Sequence, residues 1–261
     1  MIIQAAESIV GCQPDSPAES NHPETAASPK GHRRSTPKWE AEAQGRLRSA
    51  IKKYSKHLVE LVERDANEAD TRILVTEILC GGLGYDRFND LGTEYLVKGD
   101  FADYLLRVDG DRVCFVEVKR CSTKLGTRHL KQVENYALHD GVEWIILTNG
   151  AKWQLHHLEP GLPIDVALIR EVDLLDGRSA ATLAAEMFLL TKEAMKHNLL
   201  EVEWRSLRAT SPKALGSAIL SEPVVRAVRA QLRKATGHLA TMDEIARLLR
   251  ETVLKADACG D

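Results

Sequence analysis

The run Val113-Cys114-Phe115-Val116-Glu117-Val118-Lys119 constrains this chain more than any other stretch. Alternate side chains of a strand point to opposite faces. Here both faces are apolar, with Val113 and Phe115 on one and Cys114, Val116 and Val118 on the other. Such a strand belongs in the middle of a sheet covered on both sides. Its far end departs from that pattern, because Glu117 and Lys119 are charged and, being two apart, share a face. Charges at the end of a buried strand are costly unless they are paired or used.

Tyr104-Leu105-Leu106-Arg107-Val108 precedes this strand across Asp109-Gly110-Asp111, a hairpin signal. A three-residue loop pairs Val108 with Arg112 and sets Asp103 opposite Glu117 on the same face. A two-residue loop would set Asp103 opposite Val116, on the wrong face. The longer loop is therefore the one expected if Asp103, Glu117 and Lys119 act together. Two carboxylates and an ammonium at a strand end suit a hard divalent cation, with Mg²⁺ completed by waters and a phosphate oxygen of a substrate. A bound water, oriented or deprotonated by Lys119, could then attack a phosphodiester. Taken alone, Glu117 and Lys119 equally describe an ion pair where a strand emerges.

The remaining pattern surrounds this centre with helices. Leu47, Ile51, Tyr54, Leu58 and Leu61 recur at helical spacing, and Asn67 caps a second helix that carries Ile73, Leu74, Ile78 and Leu79 inward. A helix-compatible segment spans about Gly126 to His139. Trp144-Ile145-Ile146-Leu147-Thr148 and Trp153-Gln154-Leu155-His156 flank Asn149-Gly150 as a second hairpin, and Val166-Ala167-Leu168-Ile169 adds an edge strand. Beyond Ser179 the chain reads as helical, ending in helices near 222–235 and 241–254. The fold class is α/β, a mixed sheet flanked by helices with a helical C-terminal tail.

Charge is uneven. The net charge of −3 excludes a uniformly basic coat, but residues 30–56 and 205–234 together hold 16 of the 35 Lys+Arg and only 3 of the 38 Asp+Glu. Local density of that kind is what phosphate contacts need, and equally describes solvated helix faces. Residues 13–37 contain five prolines among polar residues and are expected to form a flexible leader. Five cysteines at irregular spacing argue against a disulfide framework or zinc site and for a reducing cytoplasm. Ile9-Val10-Gly11-Cys12 has the outline of a lipoprotein box, but residues 1–8 carry no Lys or Arg, and no targeting segment is assigned. There is no long apolar run and no P-loop. His156-His157 has no zinc-ligand spacing and is expected to be a surface pair at a strand edge. Trp144 and Trp153 are expected in the core.

Asp103 with Glu117-Val118-Lys119 resembles the PD-(D/E)xK nuclease motif, and Gln132-Val133-Glu134-Asn135-Tyr136 resembles the Gln-x-x-x-Tyr motif of one branch of that superfamily. With Thr148-Asn149-Gly150-Ala151-Lys152-Trp153, the order is similar to the N-terminal nuclease domain of type I restriction enzyme R subunits, over roughly residues 60–160. The resemblance implies a restriction-endonuclease-like fold over 39–175, after a leader of 1–38 and before a helical region of 176–261. It implies a Mg²⁺-dependent DNA endonuclease, with Mn²⁺ as a substitute, acting in restriction or phage defence. Asp103, Glu117 and Glu68 would hold metal, Lys119 would serve the attacking water, and Gln132 and Tyr136 would support the site. Glu68 reads equally as a first-turn glutamate favoured by the helix dipole. No proline precedes the aspartate, which leaves Asp100 as a rival. Translocation would need a helicase, methylase or other restriction subunit, and the C-terminal helices would be a helix-turn-helix or a homodimer contact. Two other readings share these residues: a catalytically silent module binding DNA or a partner subunit, and a junction- or repair-type nuclease.

Overall fold

The structure, a computed structural model, describes residues 36–97, 100–131, 133–134, 140–159, 161, 164–255 and 258. Two helices open the described chain. The first, α1 (Lys38–Glu63), buries Leu47, Ile51, Tyr54, Leu58 and Leu61 along one stripe. The second, α2 (Glu68–Gly81), starts where the Asn67 side chain accepts the Asp70 N–H at 2.8 Å, satisfying one of the amides a helix start leaves without a partner. It buries Thr71, Leu74, Val75, Ile78 and Leu79. Ile73, expected inward, is 66% exposed, because it lies a full 100° round the helix from Leu74 and outside that stripe.

Six strands follow: β1 (Leu91–Val97), β2 (Asp100–Val108), β3 (Asp111–Val118), β4 (Trp144–Thr148), β5 (Lys152–Glu159) and β6 (Asp165–Asp173). They lie side by side in chain order, antiparallel except for the parallel pair β3/β4. The sheet is therefore mixed, flanked by helices as expected, with β3 inside it. Strand β1 was not legible, since Gly92, Thr93 and Glu94 blur its alternation.

The β2/β3 turn corrects one expectation. Val108 pairs with Asp111 rather than Arg112, so the loop is the two-residue Asp109-Gly110. Both residues have positive φ (52° and 95°), the left-handed pair whose twist matches the flanking strands. The register then slips: Arg107 faces Arg112, but Leu106 faces Cys114, leaving Val113 as the extra residue of a bulge. From there onward the pairing is the one the longer loop would have set, with Leu105 opposite Phe115 and Tyr104 opposite Val116. The bulge also moves Val113 off the Phe115 face, and it packs with Cys114 and Val116 instead.

Each face of β3 is covered. On one side Cys114, Val116 and Val118 pack with α1 and α2. The same cluster takes in Leu183 and Met187 of α3 (Ala180–Met187), Met195 of α4 (Lys192–Lys196) and Leu200 of α5 (Leu199–Ala209). On the other side Phe115 packs with Leu105, Leu130, Val133, Ile145 and Leu147. Burying each such side chain contributes about 1.5–3 kcal/mol. Arg46 of α1 clamps Glu193 of α4 through two bonds of 2.8 and 2.7 Å and donates to Gly82 O. One side chain counted in the basic segment 30–56 is thus a tie between helices. Helices α6 (Pro212–Ile219), α7 (Glu222–Thr236) and α8 (Met242–Leu248) complete the C-terminal side.

Candidate functional site

Asp103, Glu117 and Lys119 meet at one end of the β2/β3 ladder. The last recorded pair there is Tyr104 with Val116. Ala102 and Leu105, three apart, face the same apolar cluster, so the regular pleat is interrupted at Asp103–Tyr104. Asp103 is thereby not a simple facing partner of Glu117. Its carboxylate lies across the ladder end, where Oδ2 accepts the Val118 N–H at 2.7 Å. Its Oδ1 accepts Arg72 Nη1 of α2 at 2.8 Å.

Glu117 is 3% exposed, and Lys119 Nζ donates to its Oε1 at 2.5 Å. Its other oxygen, Oε2, is buried with no hydrogen-bond partner. Burial pushes the Glu117 carboxyl up to about 7, with the charges of Asp103 and Glu68 adding to the rise and the Lys119 ammonium opposing it. Burial pulls Lys119 down, but its hydrogen bond to Glu117 and the Glu117, Glu68 and Asp103 charges outweigh this and raise it. Lys119 therefore stays an ammonium at neutral pH. Glu68, exposed in the first turn of α2, belongs to this electrostatic group.

The three carboxylates expected to hold metal are not drawn together as a ready ligand set. Among the described residues, the single group of three His, Cys, Asp or Glu donors within 4.8 Å of one another is Glu143, His157 and Glu201. Like charges repel, and Arg72 and Lys119 each hold one carboxylate in its present place. Gln132, Tyr136 and the side chain of Asp100 lie outside the described residues.

Sequence reasoning missed Arg72 and His129. Arg72 follows Glu68 by four residues, hence on the same helix face, a spacing that could have suggested it once Glu68 was chosen. His129 sits close enough to Lys119 to feel its charge. Burial first, then Arg128 and Lys119, hold its imidazole below its ordinary value. Nothing in the sequence distinguishes it from a surface histidine.

The loop leaving Lys119 is tied to the β4–β5 turn. Lys119 N–H donates to Thr148 O at 2.8 Å, and Asn149 Nδ2 donates to Cys121 O and Thr123 O at 3.2 and 3.0 Å. Asn149 Oδ1 accepts the Lys152 N–H at 2.7 Å. The Thr148-Asn149-Gly150 segment thus braces the residues beyond the charged cluster.

The expected surface pair of histidines is corrected. His156 and His157 are 6% and 4% exposed and point to opposite faces of β5. β5 is not an edge strand, since it lies between β4 and β6, and Trp204 of α5 stacks on the His157 ring. Of the basic tail residues, Arg208 pairs with Glu159 at 2.9 Å and Arg229 Nε donates to Ala240 O at 3.0 Å.

No protein-family model matches this chain, and no curated protein does. A solved chain from a cryo-EM structure of a DrdV–DNA complex is similar over 54% of this chain and 96% of that one, at 20% identity and a TM-score of 0.36. No helix among the described residues is long and apolar enough to cross a membrane.

Proposed function

We propose that this chain is a Mg²⁺-dependent DNA endonuclease centred on Asp103, Glu117 and Lys119. The observation that carries the reading is Glu117 Oε2, a carboxylate oxygen buried without a partner beside a second carboxylate. A buried group left unsatisfied is costly, and a cation is the partner such a pair of oxygens fits. Asp103 and Glu117 would hold it, with Glu68 reached through water. When bound, a divalent ion lowers the pKa of a coordinated water and offsets charge on a phosphoryl oxygen.

The chain's own groups have separate tasks in this reading. Asp103 is held in place by the Val118 N–H, which leaves Oδ1 as its ligand atom once Arg72 turns away. Lys119, kept charged by its anionic neighbours, orients the attacking water and steadies developing negative charge rather than accepting a proton. Arg72 and Lys119 supply the positive charge to which a phosphodiester is drawn. Gln132 and Tyr136 would support the same site. A role in restriction or phage defence, with a helicase or methylase partner, is supported by the motif resemblance alone.

A second reading has its own observation. One oxygen each of Asp103 and Glu117 is already ion-paired within the chain, an arrangement that needs no ion and fits a module that binds DNA without cutting it. One experiment separates the two: plasmid and oligonucleotide cleavage with Mg²⁺ or Mn²⁺, comparing wild type with Glu117→Gln. Cutting that requires the ion and Glu117 supports the enzyme. Salt-sensitive DNA binding with no cutting on any substrate supports the binding module. Ion-dependent cutting that Glu117→Gln leaves intact overturns the assigned site.

A further inference from the structure

We infer that Glu143, His157 and Glu201 form a second, separate cation site, one for a first-row divalent transition ion of the Zn²⁺ type. The three residues come from three elements. Glu143 immediately precedes β4, and its carbonyl accepts the Leu158 N–H at 2.8 Å. His157 lies near the end of β5, opposite Trp144, and Glu201 is in the first turn of α5. Because β3 and β4 run parallel with Glu117 beside Leu147, the start of β4 is the opposite end of the sheet from Glu117. The two sites are therefore distinct.

Their donor atoms already lie within 4.8 Å of one another. Bonds of about 2.0–2.2 Å put the ligands of a tetrahedral ion roughly 3.3–3.6 Å apart, a spacing His157 Nε2 and Glu143 Oε2 already have at 3.5 Å, so side-chain rotation of the two glutamates closes the set. Imidazole with two carboxylates is a borderline donor set that suits Zn²⁺ better than Mg²⁺ or Ca²⁺, and it leaves a fourth position open.

The second observation is His157 itself. Only 4% of it is exposed, yet among the described residues its ring makes no hydrogen bond. Nε2, the nitrogen turned into the cluster, lies 3.5 Å from Glu143 Oε2, beyond a good hydrogen bond, while Nδ1 on the other side of the ring is buried without a partner of its own. The ring is nevertheless fixed, with Trp204 stacked on it at 4.5 Å and the Trp144 ring edge-on at 4.6 Å. Trp144 Nε1 donates to Glu201 Oε1 at 3.1 Å, an outer contact of the kind that orients a metal-binding carboxylate. The nearby Arg208 does not compete for the carboxylates, since it is paired with Glu159 and lies over Trp204.

The test loads the chelator-treated full chain with Zn²⁺, removes free ion, and measures retained metal, binding affinity and the thermal midpoint. Wild type and Glu117→Gln should retain zinc with equal affinity and unfold at a higher temperature with it. In Glu143→Gln/Glu201→Gln the affinity should fall by about tenfold or more and the zinc-induced shift should vanish. That variant keeps the bulk of both side chains, and its zinc-free midpoint reports whether it folds as wild type does. Should it fail to fold, Glu143→Gln alone, at an exposed position, carries the same expectation. Three results would overturn the inference: no zinc retained by wild type, equal retention by the Glu143 variants, or loss in Glu117→Gln instead.

Discussion

Asp103 Oδ2 takes the backbone N–H of Val118 at 2.7 Å, so a side chain stands where the β2/β3 ladder ends. The same carboxylate is thus both a structural acceptor and a candidate ligand, and substitution can separate the two. Asp103→Asn keeps an acceptor for Val118 and loses the part-exposed Arg72 ion pair, and should cost about 1 kcal/mol or less. Asp103→Ala strips a largely buried N–H of its partner and should cost about 1–3 kcal/mol in urea unfolding. Both should abolish ion-dependent cleavage. Equal stability of the two variants would contradict this account of the ladder end.

Glu117→Gln and Lys119→Ala should each slow cleavage by about 10²-fold or more, the scale of losing a group that acts on the attacking water. DNA affinity, read by fluorescence anisotropy, should change far less than the rate. A pure loss of affinity at unchanged rate would make these residues binding groups only.

Asn149→Ala should destabilise the fold by about 2–4 kcal/mol, because it leaves the Cys121 and Thr123 carbonyls and the Lys152 N–H without their partner. The loop after Lys119 loses its brace, so cleavage rate should fall more than DNA affinity. Urea unfolding and single-turnover cleavage measure the two effects.

Two buried groups give the stability–pH curve opposing slopes. Burial drives His156 from 6.5 to about 4, so below pH 6.5 the unfolded chain takes up a proton that the folded chain refuses. Its contribution is complete above pH 6.5 and is lost as pH falls toward 4. Glu117, raised from 4.5 to about 7, acts the other way: its contribution is present below 4.5 and is lost as pH rises through 7. His156→Gln should therefore gain stability relative to wild type on acidification, on the order of 2 kcal/mol between pH 6.5 and roughly 5. The difference between the two urea midpoints across that window is the measurement. A constant difference would place His156 in contact with water.

Much of the architecture was legible because local pattern and burial agree. Both faces of β3 are apolar, the α1 stripe is regular, and Asn67 sits where a helix begins. Strand β1 was not, since its alternation is broken by Gly92 and the polar Thr93 and Glu94. The hairpin departs from expectation at its turn and agrees with it beyond the bulge. The turn is the two-residue form favoured by Asp109-Gly110, yet the bulge at Val113 restores the register of the longer loop as far as Tyr104 and Val116.

What the sequence determined by itself was the identity and order of the charged residues at the end of a buried strand, because strand alternation and hairpin chemistry are local. What only the tertiary structure decided was their partners. Arg72 on Asp103, the orphaned oxygen of Glu117, and the burial of His156 and His157 all arise where elements distant in the chain pack together. Whether a charge is paired, buried or left open depends on those neighbours, and spacing along one chain carries no record of them.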